Sequence, residues 1–110
     1  MSRAYRKSYL RTHRLKAALT LRELAGLLGI TITAVWYYEV GERDIPAEVL
    51  VASEVIFGVS ASKIFPALYN SVEEDLAIRA LELHDQLAGR EDLASLRKLA
   101  LISGIPGRLH

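Results

Sequence analysis

Leu21-Arg22-Glu23-Leu24-Ala25-Gly26-Leu27-Leu28-Gly29-Ile30-Thr31-Ile32-Thr33-Ala34-Val35-Trp36-Tyr37-Tyr38-Glu39 is the stretch that decides the fold. Thr20, just before it, can accept from the free amides of a first helical turn, and Glu23 stands three residues on as its capping-box partner. A helix over 21–28 follows, and Gly29 stops it. Thr31 is a second N-cap, opening a helix through Tyr38 that ends near Gly41. Two helices cross steeply through so short a turn only if the residue at the crossing is small and the turn residue can enter the left-handed region. Ala25 and Gly29 meet those demands at the right separation. Leu24, Leu28, Ile30 and Val35 then point inward, and Ile32, Thr33, Trp36 and Tyr37 are left on the outer face of the second helix.

Working outward, residues Lys7 to Ala18 hold Leu10, Leu15 and Ala18 near helical spacing, with basic residues between them. Glu42-Arg43-Asp44-Ile45-Pro46 reads as a loop, with Pro46 near the first turn of the next helix. Ala47 to Phe57 reads as that helix, although its β-branched content leaves a buried strand open. Gly58 closes it, Ser60 can cap a last turn through Phe65, and Pro66 to Asn70 reads as a boundary. Beyond it, Ser71-Val72-Glu73-Glu74 has the pattern of a capping box, and Val72, Leu76, Ala80, Leu83 and Leu87 form an apolar stripe ended by Gly89. A second helix over Glu91 to Ser103 repeats the pattern and ends at Gly104. The expected organisation is all-α: a five-helix domain over residues 1–66 and a helical hairpin over 71–104.

Composition narrows the function classes. The 110 residues allow one compact domain with a short appendage, and 51% apolar with 25% charged residues is the balance of a soluble globular chain. Neither a membrane-length apolar run nor a signal peptide is present, so a cytoplasmic location is expected. Without cysteine, and with His13, His84 and His110 scattered, no metal or other cofactor is expected. No nucleophile with its base, paired carboxylates or phosphate-cradling loop stands out, and His84 beside Asp85 is not expected to form a dyad, since adjacent helical residues do not face each other. An enzyme is therefore not expected. The net charge of +1 is unevenly spread: eight basic against four acidic residues through Pro46, then six against nine. That asymmetry points the N-terminal half at a polyanion, or gives it a solvated basic face.

The ordered series Leu10, Arg14, Leu19-Thr20, Leu24-Ala25, Leu28-Gly29, Thr31, Val35, Tyr38-Glu39, Gly41, Pro46 and Phe57-Gly58-Val59-Ser60 resembles the phage-repressor-like (Xre or lambda-repressor-like) helix-turn-helix family, from about Leu10 to Phe65. The resemblance implies a structural ion pair between Arg14 and Glu39, bridging the first and third helices. It further implies that helix 31–38 enters the major groove of double-stranded DNA, with Thr31 and Thr33 hydroxyls and free helix amides at phosphate. Arg43 would meet the backbone beside it, and Arg3, Arg6 and Lys7 form a basic arm that lies along the duplex or stays solvated.

The chain also departs from that family. Leu21 stands where a Gln often clamps phosphate, and Ile32, Thr33, Trp36 and Tyr37 stand where Gln, Asn, Ser or Arg are usual. Without polar bidentate readers, thymine-methyl and hydroxyl contacts and indirect readout of DNA shape remain. The face Ile32, Trp36 and Tyr37 equally fits a protein partner, and Trp36 could instead fold back into the core. The tail has more apolar stripe than one pair of helices can bury, so homodimerisation is expected, which would set two recognition helices roughly 34 Å apart. Packing onto the chain's own first domain is the other outcome. Two functions follow: a sequence-specific transcriptional regulator, with repression the expected sign, or a protein-interaction module such as an antitoxin, anti-repressor or polymerase-binding factor.

Overall fold

The computed structural model describes residues 7–105. Among them are seven helices and no strand: α1 (Leu10–Lys16), α2 (Leu21–Leu28), α3 (Ile32–Val40), α4 (Ala47–Phe57), α5 (Ala61–Ile64), α6 (Pro66–Leu87) and α7 (Leu93–Ser103). The chain divides into two compact units, Met1–Leu68 and Tyr69–His110. The all-helical reading is what the structure shows.

In the first unit, Leu10, Leu24, Ala25, Val35, Tyr38, Val49, Ile64 and Phe65 form the buried cluster. Leu19, Leu28, Ile30 and Ile45 pack against its edge. Burying apolar side chains of this size contributes about 1.5–3 kcal/mol each, which is what holds such short helices together. The stretch over Ala47–Phe57 is helical throughout, so the strand alternative falls; Val49 and Ser53, one turn apart, supply its buried side.

Several expected boundaries move. α1 is shorter than the expected 7–18, and Leu15 and Ala18 are exposed rather than inward. The chain leaves α1 with Ala18 in the left-handed region, at φ 57°. The stretch 66–70, read as a boundary, does contain the division between the two units but is helical, because Pro66 occupies the first position of α6, where its fixed φ suits a helix and its missing amide costs nothing. Ser71, read as a cap, consequently lies inside α6. Pro46 is itself the N-cap of α4 and not a first-turn residue. Ser60 precedes α5 without a side-chain cap bond; the Ala61 amide is taken instead by Glu54 Oε1 at 2.8 Å.

In the second unit, α7 starts two residues later than expected. Asp92 caps it, with Oδ2 accepting from the Ser95 amide at 3.0 Å and Oδ1 from the Ser95 hydroxyl at 2.8 Å. Those bonds, the hydroxyl first, hold the Asp92 carboxyl below its ordinary value of 3.8. Leu87, Ser95 and Ile102 are buried, while Ile78, Leu81, Leu93, Leu96 and Leu101 are exposed.

Candidate nucleic-acid interface

The site is built from α2, the turn and α3. Thr20 Oγ1 accepts from the Glu23 amide at 3.0 Å and Glu23 Oε1 accepts from the Thr20 amide at 2.9 Å, a complete capping box. The Thr20 amide bond and the Thr20 hydroxyl draw the Glu23 carboxyl below its ordinary 4.5. At the other end Gly29 takes φ 69°, which a side chain would strain, and turns the chain toward α3. Ala25 is buried at the crossing beside Leu24 and Val35.

Thr31 caps α3 with Oγ1 accepting from the Ala34 amide at 3.1 Å. That engagement trims the expected anion site: the Ala34 amide is taken, leaving the amides of Ile32 and Thr33, with the Thr31 hydroxyl hydrogen, to meet a phosphate. α3 runs to Val40 with Gly41 as its C-cap, the expected end, and Val40, beyond the 31–38 span assigned to the groove, adds to its surface. Val35 and Tyr38 face the core, and the Tyr38 carbonyl accepts from Ser8 Oγ at 3.3 Å, tying the start of the chain to α3.

Two stripes remain outward. Thr33 and Tyr37, four apart, make the first, with Thr33 exposed and Tyr37 half-buried. Ile32, Trp36 and Val40 make the second, with Trp36 47% exposed, so the core reading of Trp36 fails. Beside the second stripe is a hollow of about 300 Å³ lined by Arg11, Arg14, Leu21, Trp36, Glu39 and Val40. Arg11, Leu21 and Val40 were not singled out as site residues. The signal for Val40 was its spacing of four from Trp36 in a helix expected to end near Gly41.

The floor of the hollow is an ion pair. Arg14 Nε donates to Glu39 Oε2 at 2.6 Å and Nη2 to Oε1 at 3.2 Å, while Nη1 donates to the Leu19 carbonyl at 3.0 Å. With side chains 10% and 3% exposed, the pair fixes α3 against α1 and the α1–α2 turn from inside. On the outside, the Arg43 guanidinium stands 4.0 Å from the centre of the Tyr37 ring, and Trp36 meets Tyr37 edge-on at 5.2 Å. Arg43 and Lys7 are exposed; Arg3 and Arg6 lie outside the described residues.

Elsewhere, His84 Nδ1 lies 3.6 Å from Asp85 Oδ1, closer than helical neighbours were expected to come. Both are on the surface and the separation is too long for a hydrogen bond, so the contact is a solvated one. Among the described residues no cluster of His, Asp and Glu could hold a metal ion, and no helix is long and apolar enough to cross a membrane.

Comparison with curated proteins and with solved structures finds no match. A family model described as a helix-turn-helix domain matches residues 8–64, the span from just before α1 to the end of α5. Such a domain is a DNA-binding module in which the second helix of the motif is the recognition element. With the turn at Gly29, the caps at Thr20 and Thr31 and the outward face of α3 all inside the matched span, the chain belongs to the helix-turn-helix domain family.

Proposed function

We propose that the protein is a sequence-specific double-stranded DNA-binding transcriptional regulator of the lambda-repressor-like type, a cytoplasmic repressor acting as a homodimer and not an enzyme. Its α3 enters the major groove. The observation that carries this reading is the placement of α3: pinned from inside by Arg14 and Glu39, it keeps Thr33, Trp36 and Tyr37 outward at the end of a short turn. Arg43, over the Tyr37 ring, supplies positive charge at that face, and Lys7 is exposed to add to it, as phosphate attraction requires. The test is a competition binding assay on duplex DNA across a salt series. Binding that weakens steeply with salt, and specific binding that falls more than non-specific binding in Thr33→Ala or Tyr37→Ala, is the expected result. If no duplex from the surrounding genome competes better than random DNA, the reading fails.

The homodimer rests on the second unit. One side of α7 is covered through Ser95 and Ile102, yet Leu93, Leu96 and Leu101 leave apolar surface on its other side. α6 carries five acidic residues against Arg79, whereas α7 carries Arg97 and Lys98 and no acid. Opposite signs on two helices of one unit give the self-complementary charge that a twofold interface needs. A second copy, with its α7 against this α6, is the occupant that fits. Light scattering should give twice the chain mass, falling to the monomer in Leu96→Glu; a monomeric wild type at micromolar concentration removes this part.

The stripe Ile32, Trp36 and Val40, with its hollow, favours a second reading in which α3 grips another protein as an antitoxin, anti-repressor or polymerase-binding factor would. A defined partner lost in Trp36→Ala with duplex binding unchanged would favour it over the first.

A further inference from the structure

The outward residues of α3 supply methyl, indole and hydroxyl groups, and none of them can donate two parallel hydrogen bonds to a purine edge. Arg43 can, and its position changes what it is for. A loop arginine free to swing would serve as a phosphate clamp. This one has its guanidinium 4.0 Å from the centre of the Tyr37 ring, so it lies over a residue of the recognition face and not away from it. A guanidinium over a ring can rest its face on it, an arrangement that leaves the in-plane N–H groups for a partner. The ring beneath is held in turn by the edge contact with Trp36 at 5.2 Å and by the half-buried setting of Tyr37. At an exposed residue such a contact is modest, and it biases the side chain toward the face of α3 before any ligand arrives.

We propose that Arg43 reads the O6 and N7 edge of a guanine in the major groove, and that Tyr37 is the positioning residue that holds its guanidinium over the face of α3. This rests on α3 being the DNA-reading helix. A planar fork on a ring already seated in the groove matches the guanine edge in the way that an exposed lysine, with a single point charge, does not. Arg43 supplies the polar reader that the outward positions of α3 lack.

The experiment is selection from random duplex DNA by the full chain, for the wild type and for Arg43→Ala, Arg43→Lys, Tyr37→Phe and Tyr37→Leu, each checked by circular dichroism and thermal melting. Wild type should select a site with a fixed guanine, and Arg43→Ala should lose about 10- to 100-fold of the preference at that column while other columns persist. Arg43→Lys should lose most of the same preference. Tyr37→Phe keeps the ring and should keep the guanine; Tyr37→Leu should weaken that column although Arg43 is still present, which a merely structural tyrosine would not do. An Arg43→Ala protein that selects the unchanged site and binds all duplexes more weakly, with a salt slope reduced by about one phosphate, makes Arg43 a backbone clamp and overturns the proposal. A wild type that selects a site with no guanine lost in Arg43→Ala overturns it too, leaving the DNA-binding reading intact. A wild type that selects no sequence at all overturns both.

Discussion

Replacing Glu39 by Leu tests how α3 is held. In the native unit the Arg14 guanidinium has three donors in use, two on Glu39 and one on the Leu19 carbonyl, and its side chain is only 10% exposed. Glu39→Leu removes both carboxylate acceptors and leaves a charged group in a desolvated place with the carbonyl alone. Each buried donor left without a partner costs about 1–3 kcal/mol, and breaking one half of a buried pair costs about 3–5 kcal/mol in all. The residual opening at Arg14 admits some water, so about 3 kcal/mol is the expected loss. In a domain of this size that lowers Tm by roughly 12–24 °C. The double replacement Arg14→Met with Glu39→Leu removes charge and partner together, and should return to within about 1 kcal/mol of wild type. Urea unfolding followed by circular dichroism on the two single variants and the double closes the cycle. If Glu39→Leu costs less than about 1 kcal/mol, or if the double variant is as unstable as the sum of the singles, the pair is not desolvated and the reasoning fails.

Other consequences are simpler. Ala18→Gly should raise stability by about 0.5–1 kcal/mol, because a β-carbon at φ 57° is strained more than glycine's added chain entropy costs; a drop in Tm would show that the position carries no strain. Ser53 is fully buried and its Oγ has no hydrogen-bond partner among the described residues, so Ser53→Ala should be neutral or stabilising by up to about 1 kcal/mol, and a clear loss in urea unfolding would refute this. Because the folded Glu23 carboxyl is held below 4.5, its contribution is complete above that pH and fades as pH falls through the lower folded value. Acid unfolding of Glu23→Gln should therefore be shallower below pH 4.5 than that of wild type, and parallel curves would count against the capping box. Trp36→Ala, at a residue half open to solvent, should shift stability by less than about 1 kcal/mol while weakening whichever partner α3 meets; a large drop in Tm would put the indole in the core after all.

The local rules were readable where one residue type answers one backbone demand. Thr20 with Glu23, Thr31 and Gly29 each announce a helix end, and the structure has those ends at those residues. Leu24, Ala25 and Val35 follow from helical spacing around that turn. What the residues did not disclose was competition between neighbouring signals. Ser71-Val72-Glu73-Glu74 has the chemistry of a cap, but Pro66 five residues earlier starts the helix first, and serine is tolerated once inside. The hollow beside Trp36 was invisible because it joins side chains from α1, α2 and α3, a juxtaposition that no window along the chain contains. The stack of Arg43 on Tyr37 was hidden for the same reason: a loop had to fold back over the helix it follows.

Apolar residues on solvent-facing positions mean little one at a time, since folded surfaces always carry some; Leu27 on α2 is such a case. A run on successive turns of a helix whose other side is already in a core is different, because residues there add nothing to the unit's own packing. α3 has that pattern in Ile32, Trp36 and Val40 against a buried Val35 and Tyr38, and α7 has it in Leu93, Leu96 and Leu101 against a buried Ser95 and Ile102. Val51 and Val55 repeat it more weakly on α4. A helix that is apolar on both sides reaches its lowest free energy only when both are covered. For α7 the opposite charge of α6 in its own unit is what the proposed second copy would match. For α3 the neighbouring stripe carries the guanidinium of Arg43 over Tyr37, so a partner that brings negative charge beside an apolar contact, as the proposed duplex does with its phosphates and thymine methyls, would use both stripes at once.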